Sequence, residues 1–157
     1  MNYSEEIGKI LINKGLTIST TESCTGGLLS SKLTDISGSS SYITLNLVTY
    51  SNIAKEKMLG VVLDQEGAVS ENCSKQMAVG LYNLTQSDIC VSTTGIAGPT
   101  GGSENKPVGL MYSTIFTPQK SKTYTIKVDS NLSRVEIKNQ FSDIVLKNIY
   151  EFIIGEI

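Results

Sequence analysis

The chain contains no histidine, and that absence decides much of its possible chemistry. A serine or cysteine nucleophile here cannot pass its proton to imidazole, so Ser-His-Asp and Cys-His arrangements are excluded and a lysine or carboxylate must act as base. Cysteine is sparse: Cys24, Cys73 and Cys90 are an odd number at wide spacings, which suits neither a disulfide framework nor a zinc ribbon and points to a reducing compartment. Excess charge is lacking too. Dispersed along the chain, 13 basic and 15 acidic residues leave a net charge of −2, so nucleic acid is not expected as a partner. The longest uncharged stretch, residues 36–54, is crowded with Ser, Thr and Asn, which rules it out as a membrane span. Glu5 and Glu6 stand where a signal peptide carries lysine, and Ile10-Leu11-Ile12 is too short for its apolar core, so a soluble cytoplasmic protein without a membrane partner is expected. Glu22, Asp35, Glu71 and Glu104 lack the paired spacing of a glycosidase or divalent-metal site, so neither metal nor cofactor is expected.

What is present reads as one α/β domain over residues 1–157, a length that buries most of its apolar surface without staples. Ser4 followed by Glu5, Glu6, Ile7, Ile10 and Leu11 predicts a helix over 3–14, ended by Gly15. Residues 16–20 alternate as a strand that delivers the chain to Glu22 and Ser23, and 25–33 form the following helix. A second strand covers 43–50 and a short helix 53–59. After Ser70 comes a helix with Met77, Leu81 and Leu84 on one face, then a buried strand over 89–94. Residues 95–106 are a loop by composition, and 109–116 pairs with 123–128 around Pro118. Asn131 caps a final helix with Val135, Phe141, Val145 and Phe152 on or near one face. This element order implies a three-layer α/β/α domain with a mixed sheet.

Three segments carry chemistry. In Glu22-Ser23-Cys24-Thr25-Gly26-Gly27, a hydroxyl and a thiol sit at a strand-to-helix turn, where backbone N–H groups can hold a developing oxyanion. Ser23 or Thr25 as a simple helix cap is the plainer alternative. In Val48-Thr49-Tyr50-Ser51-Asn52-Ile53-Ala54-Lys55, a strand end runs into a helix start, which places Tyr50 and the first helical turn on the same sheet edge as Ser23 if the strands are parallel. A lysine base must be neutral, and lowering its pKa from roughly 10.4 to about 7 costs on the order of 4–5 kcal/mol, which only a buried site can impose. Spacing alone does not separate Lys55 from Lys57 for that role. The third segment, Thr93-Thr94-Gly95-Ile96-Ala97-Gly98-Pro99-Thr100-Gly101-Gly102, lacks the Gly-Lys-Ser/Thr of a P-loop, although its amides can form a nest for one anion or a carboxamide oxygen.

In this order the segments resemble the C-terminal domain of the competence/damage-inducible (CinA-like) protein family, which occurs alone as nicotinamide-nucleotide amidase. The similarity rests on ESCTGG at 22–27, ISGSS at 36–40, VTYSNIAK at 48–55, LGV at 59–61, GAVSE at 67–71 and TGIAGPTGGSENKPVG at 94–109. The resemblance implies hydrolysis of the carboxamide of nicotinamide mononucleotide to nicotinic acid mononucleotide and ammonia. It also implies a three-layer α/β/α sandwich with a mixed, mostly parallel sheet, no metal, and a homodimer or larger homo-oligomer. Ser23 falls on the nucleophile, Lys55 on its base, and Tyr50 on a residue that assists proton traffic or orients the pair.

For substrate binding we take Glu22, Cys24, Thr25, Gly26 and Gly27 from the first segment and Thr94, Gly95, Ile96, Ala97 and Gly98 from the third. One departure stands out. The family carries Gly-Asp-Arg-x-x-Val-Arg near the start of its last helix, whereas this chain reads Ser130-Asn131-Leu132-Ser133-Arg134-Val135-Glu136, with Arg134 as its only arginine. The expectation is that Arg134 takes over from a shifted position; hydrolysis of a different small amide, or a silent nucleotide-binding or scaffold module, are the alternatives. A Cys24 nucleophile is a third.

Overall fold

The computed structural model describes residues 1–157. Five strands, β1 (Ile18–Glu22), β2 (Ile43–Val48), β3 (Ile89–Gly95), β4 (Leu110–Phe116) and β5 (Ser121–Lys127), form one mixed sheet in the order β2-β1-β3-β4-β5. The pairs β2/β1 and β1/β3 are parallel, and β3/β4 and β4/β5 antiparallel, so four of the strands point one way. Helices α1 (Tyr3–Lys14), α2 (Leu28–Thr34) and α5 (Arg134–Glu156) pack on one face, and α3 (Asn52–Leu59) and α4 (Glu71–Thr85) on the other, giving the expected three layers.

Alternation along the strands builds both cores. Ile89 and Val91 of β3 join Ile7, Leu11, Leu29, Leu33, Phe141, Val145 and Ile149 on the α1/α2/α5 side, while the intervening Cys90 joins Leu59, Val61, Cys73, Met77 and Leu81 on the other. Gly15 ends α1 in the left-handed region at φ 66°, with its N–H returning to Ile12 and Leu11 carbonyls.

Several boundaries differ from the sequence reading. Asn2, not Ser4, caps α1, its side chain accepting from Glu5 N. Helix α2 begins at Leu28 because Gly26 and Gly27 take φ of 60° and 99° and keep 25–27 in a turn. Leu84 is half-exposed: the stripe that meets the sheet comprises Cys73, Met77 and Leu81 and stops before the last turn of α4. Ser133, not Asn131, caps α5 through a capping box with Glu136, and Val135 is 67% exposed because it lies two residues from Ile137, which leads the buried stripe Ile137, Phe141, Val145.

The topology fixes where a site can form. From β1, the chain crosses to the edge strand β2 through α2 on one face and returns past β1 to β3 through α3 and α4 on the other. The carboxyl ends of β1, β2 and β3 therefore meet at one sheet edge where the crossover direction reverses, the position at which open α/β sheets leave a crevice. Glu22 lies opposite Val48 in the β1/β2 register, so the residues that follow each strand, Ser23 and Thr49-Tyr50, emerge side by side.

Candidate active site

Lys55 is brought to Ser23 by the short path from β2 into α3. Ser51 caps α3 by accepting the Ala54 amide, and Lys55, one turn in, points back under the strand ends. Its Nζ lies 2.9 Å from Ser23 Oγ, 2.8 Å from the Thr49 carbonyl and 3.0 Å from the Tyr50 carbonyl. The side chain is only 1% exposed, and no carboxylate pairs with it. Burial holds the ammonium below lysine's ordinary pKa. In the neutral amine two N–H bonds go to the two carbonyls, and the lone pair is left for the Ser23 hydroxyl. Lys57, the competitor by spacing, is exposed.

Tyr50 meets the pair through its main chain rather than its phenol. Its carbonyl accepts from Lys55 at 3.0 Å and lies 3.4 Å from Ser23 Oγ. Its hydroxyl accepts from Arg134 Nη2 at 3.0 Å, and the residue is 55% exposed. Of the two roles expected for Tyr50, proton traffic or orienting the pair, the main-chain contact fits orientation, while the hydroxyl is engaged by Arg134 and does not touch the pair. Arg134 Nη1 also donates to the Gly98 carbonyl at 2.6 Å, so one guanidinium ties α5, the glycine-rich loop and the β2 exit together.

These residues enclose a cavity of about 250 Å³. Ser23, Cys24, Tyr50, Lys55 and Arg134 line it together with Thr94, Gly95, Ile96, Ala97 and Gly98, so both ends of the sequence assignment converge. Gly98, at φ 73°, has no room for a side chain: a Cβ there would lie 2.4 Å from Val108 Cγ1. Thr100 and Gly101 of the same glycine-rich loop continue the wall, and Asn52, Ala68 and Val69, to which no role was given from sequence, complete it. Ala68 and Val69 come from the 67–71 segment, whose GAVSE pattern was visible without a role; Thr94 Oγ1 holds it in place by donating to the Ala68 carbonyl at 2.8 Å. A larger cavity of about 580 Å³ lies between the start of α1, the end of α2 and α5, but no hydroxyl or thiol there has a buried amine beside it, so size does not locate the chemistry.

Four assigned binding residues do not line the cavity. Glu22 and Thr25 are fully buried beneath it. Glu22 is consumed by the protein itself, accepting from Thr25 Oγ1, Leu29 N, Ser30 N and Ser30 Oγ. Gly26 and Gly27 form the turn, with a Cβ at Gly26 meeting Lys138 Nζ at 3.4 Å and one at Gly27 meeting Val48. The Gly26 amide is committed to the Ser23 carbonyl, which removes it from the expected oxyanion donors, whereas the amides of Cys24 and Thr25 have no acceptor in the chain. Cys24 itself is no thiolate: burial, then the nearby Glu22 carboxylate, push its thiol up to about 12. That counts against Cys24 as the nucleophile.

Arg134, Ile137 and Lys138 have an Arg-x-x-aliphatic-basic spacing along the first turns of α5, and Lys138 Nζ reaches the Gly26 turn. No group of three or more His, Cys, Asp and Glu side chains is placed to hold a metal ion.

Fold and site together define a three-layer α/β/α protein with a buried Ser-Lys pair at the carboxyl edge of a mixed sheet. A model of the CinA C-terminal domain matches residues 1–153, and the chain belongs to that family. It is 45% identical over 158 residues to a CinA-like protein of Chloroherpeton thalassium, covering 98% of this chain and 38% of that protein. With a CinA-like protein of Shewanella pealeana it shares 41% over 158 residues, 99% of this chain and 37% of the relative. The chain thus spans about a third of the length of the curated relatives it matches. Among solved structures, the competence/damage inducible protein CihA from Agrobacterium tumefaciens superposes with a TM-score of 0.87 at 36% identity over 95% of this chain and 94% of that one. The competence damage-inducible protein A from Klebsiella pneumoniae gives 0.91 at 26%, over 99% and 97%.

Proposed function

We propose that the protein is an amidohydrolase that converts nicotinamide mononucleotide to nicotinic acid mononucleotide and ammonia, with Ser23 as nucleophile and Lys55 as its base. One observation carries the reading: a lysine amine, 1% exposed and held by two carbonyls, lies 2.9 Å from a serine hydroxyl at the wall of a cavity. A lysine serving only structure has no need of this arrangement, because burying an amine without a carboxylate is costly.

The neutral amine takes the Ser23 proton as Oγ bonds to the carboxamide carbon, and the oxyanion is held by the free amide of Cys24. The tetrahedral adduct collapses with cleavage of the C–N bond, and the Lys55 ammonium returns the proton so that ammonia leaves. Lys55 then takes a proton from water, hydroxide adds to the acyl carbon, and Ser23 departs with that proton restored. At about 250 Å³ the cavity falls below the ~300–1,000 Å³ that encloses a whole drug-sized ligand, so it receives the pyridine carboxamide and leaves the ribose phosphate at the mouth. Arg134, which lines the cavity, supplies a cation there. Dimerisation or higher homo-oligomerisation belongs to this reading as well.

Incubation of the purified protein with nicotinamide mononucleotide, followed by ammonia release, tests it. Turnover by the wild type and its loss by at least about 10³-fold in Ser23→Ala are expected. No release from the wild type, with tight mononucleotide binding by calorimetry, supports a silent binding module instead.

A further inference from the structure

Glu22 is a carboxylate with no exposure and no cationic partner, and every group it accepts belongs to the eight residues after it. Oε1 takes Thr25 Oγ1 at 2.5 Å and the Leu29 amide at 3.0 Å, while Oε2 takes the Ser30 amide at 2.9 Å and Ser30 Oγ at 2.5 Å. It therefore ties the end of β1 to the first turn of α2 and closes the intervening turn, from whose head Ser23 projects. The N-cap position of α2 is Gly27, which offers no side chain, so this carboxylate does the capping from within the core.

The bonds also have a direction. Thr25 Oγ1 donates to Glu22 Oε1 and spends its single hydroxyl proton there. Thr25 Oγ1 then must accept across its 2.8 Å contact with Thr93, which fixes Thr93 as the donor. Thr93 in turn is left with its lone pairs and faces the Ser23 amide, at 3.4 Å from Oγ1 and 3.1 Å from its carbonyl. A chain of fixed polarity thus runs from Glu22 through Thr25 and Thr93 to the backbone of Ser23. All of its members except Ser23, at 8%, are without exposure.

We propose that Glu22 is a positioning residue for Ser23: its carboxylate, acting through Thr25 and Thr93, holds the 23–27 turn so that Ser23 Oγ faces Lys55 and the Cys24 and Thr25 amides stay free. This rests on the reading of Ser23 as nucleophile. Replacing the carboxylate by an amide keeps its shape but turns one acceptor into a donor aimed at donors, so the turn loosens where about 1 Å of misplacement costs on the order of 10²-fold in rate.

The test measures kcat and KM for nicotinamide mononucleotide together with the rate at which Ser23 reacts with a phosphonylating serine reagent, well below each variant's melting temperature. In Glu22→Gln, kcat and reagent reactivity fall together by about 10- to 100-fold while KM stays within about twofold. Thr93→Val, which cuts the chain without touching the carboxylate, falls by about tenfold, and Thr93→Ser recovers most of that loss. The Thr93 pair decides the matter if Glu22→Gln does not fold. Unchanged kcat and reactivity in a folded Glu22→Gln, or equal values for Thr93→Val and Thr93→Ser, overturn the proposal. A wild type whose Ser23 neither reacts nor turns over overturns the parent reading and this one with it, a result distinct from a reactive wild type with indifferent variants.

Discussion

Gly80→Ala tests how the second core holds Lys55 in place. Gly80 sits within α4 where α3 crosses it, and a Cβ added there would lie 2.1 Å from the Leu59 carbonyl oxygen and 2.9 Å from its carbonyl carbon and Cβ. Ordinary contact begins near 3.4 Å, so the last turn of α3 must retreat by about 1.3 Å, the difference between those distances. Backbone cannot fold away as a long side chain can. Lys55 lies one turn before Leu59, and its own carbonyl accepts the Gly60 and Val61 amides at that helix end. A shift of about 1 Å carried to Nζ stretches the 2.9 Å contact with Ser23 Oγ past hydrogen-bond range and costs on the order of 10²-fold in kcat. Overpacking costs about 1–3 kcal/mol, offset by about 1 kcal/mol of helix propensity, so melting falls only a few degrees. Ammonia release and thermal denaturation are measured side by side, with Gly155→Ala as control because a Cβ there meets nothing within 4 Å. Wild-type kcat with an unchanged or raised melting temperature in Gly80→Ala refutes the reasoning, since it means α3 and α4 do not meet there.

Other consequences are independent of that contact. Because the Cys24 thiol is pushed up to about 12, Cys24→Ser lowers kcat by less than about tenfold, and iodoacetamide inactivates slowly at pH 7; a loss matching Ser23→Ala makes the thiol the nucleophile. Removing the cross-tie of Arg134 to Gly98 and Tyr50 by Arg134→Ala raises KM by about tenfold or more with a smaller change in kcat, and an unchanged KM removes Arg134 from the binding surface. Burial lowers the Lys55 pKa, so between that value and the unfolded value near ~10.4 the unfolded chain binds more protons and this residue's contribution to stability rises with pH. Buried Cys24 and Cys90, whose values are raised, oppose that trend in alkali, so the difference in urea midpoint between wild type and Lys55→Met isolates it. A difference that does not change with pH contradicts the burial of the amine.

Helix α1 was legible to the residue, because its apolar spacing and Gly15 agree with its packing and its left-handed stop. ESCTGG and VTYSNIAK each read as a strand end passing into a helix, which brought the two segments to one sheet edge if their strands were parallel, as they are; the choice of Lys55 over Lys57 came from the family resemblance, since spacing leaves both on the same short helix. What sequence could not convey was orientation at single positions. Tyr50 has the right place and the opposite direction, because alternation along a strand does not continue into the loop beyond it. Glu22 reads as a polar group beside a nucleophile, yet its partners are backbone amides of residues seven and eight positions later, which only the turn at Gly26 and Gly27 brings back to it. The start of α5 was set at Asn131 rather than Ser133, and in a helix a shift of two positions rotates a residue by more than half a turn, which is why Val135 was expected on the buried face.

The most direct measurement is the titration of the Lys55 side chain in the intact protein by NMR with lysine labelled at the ε carbon, assigned by its absence in Lys55→Met. The account predicts a midpoint below the ordinary lysine value of about 10.4, matched by the acid limb of kcat/KM for ammonia release. A midpoint at or above that value means an ammonium that cannot accept the Ser23 proton, and contradicts the account.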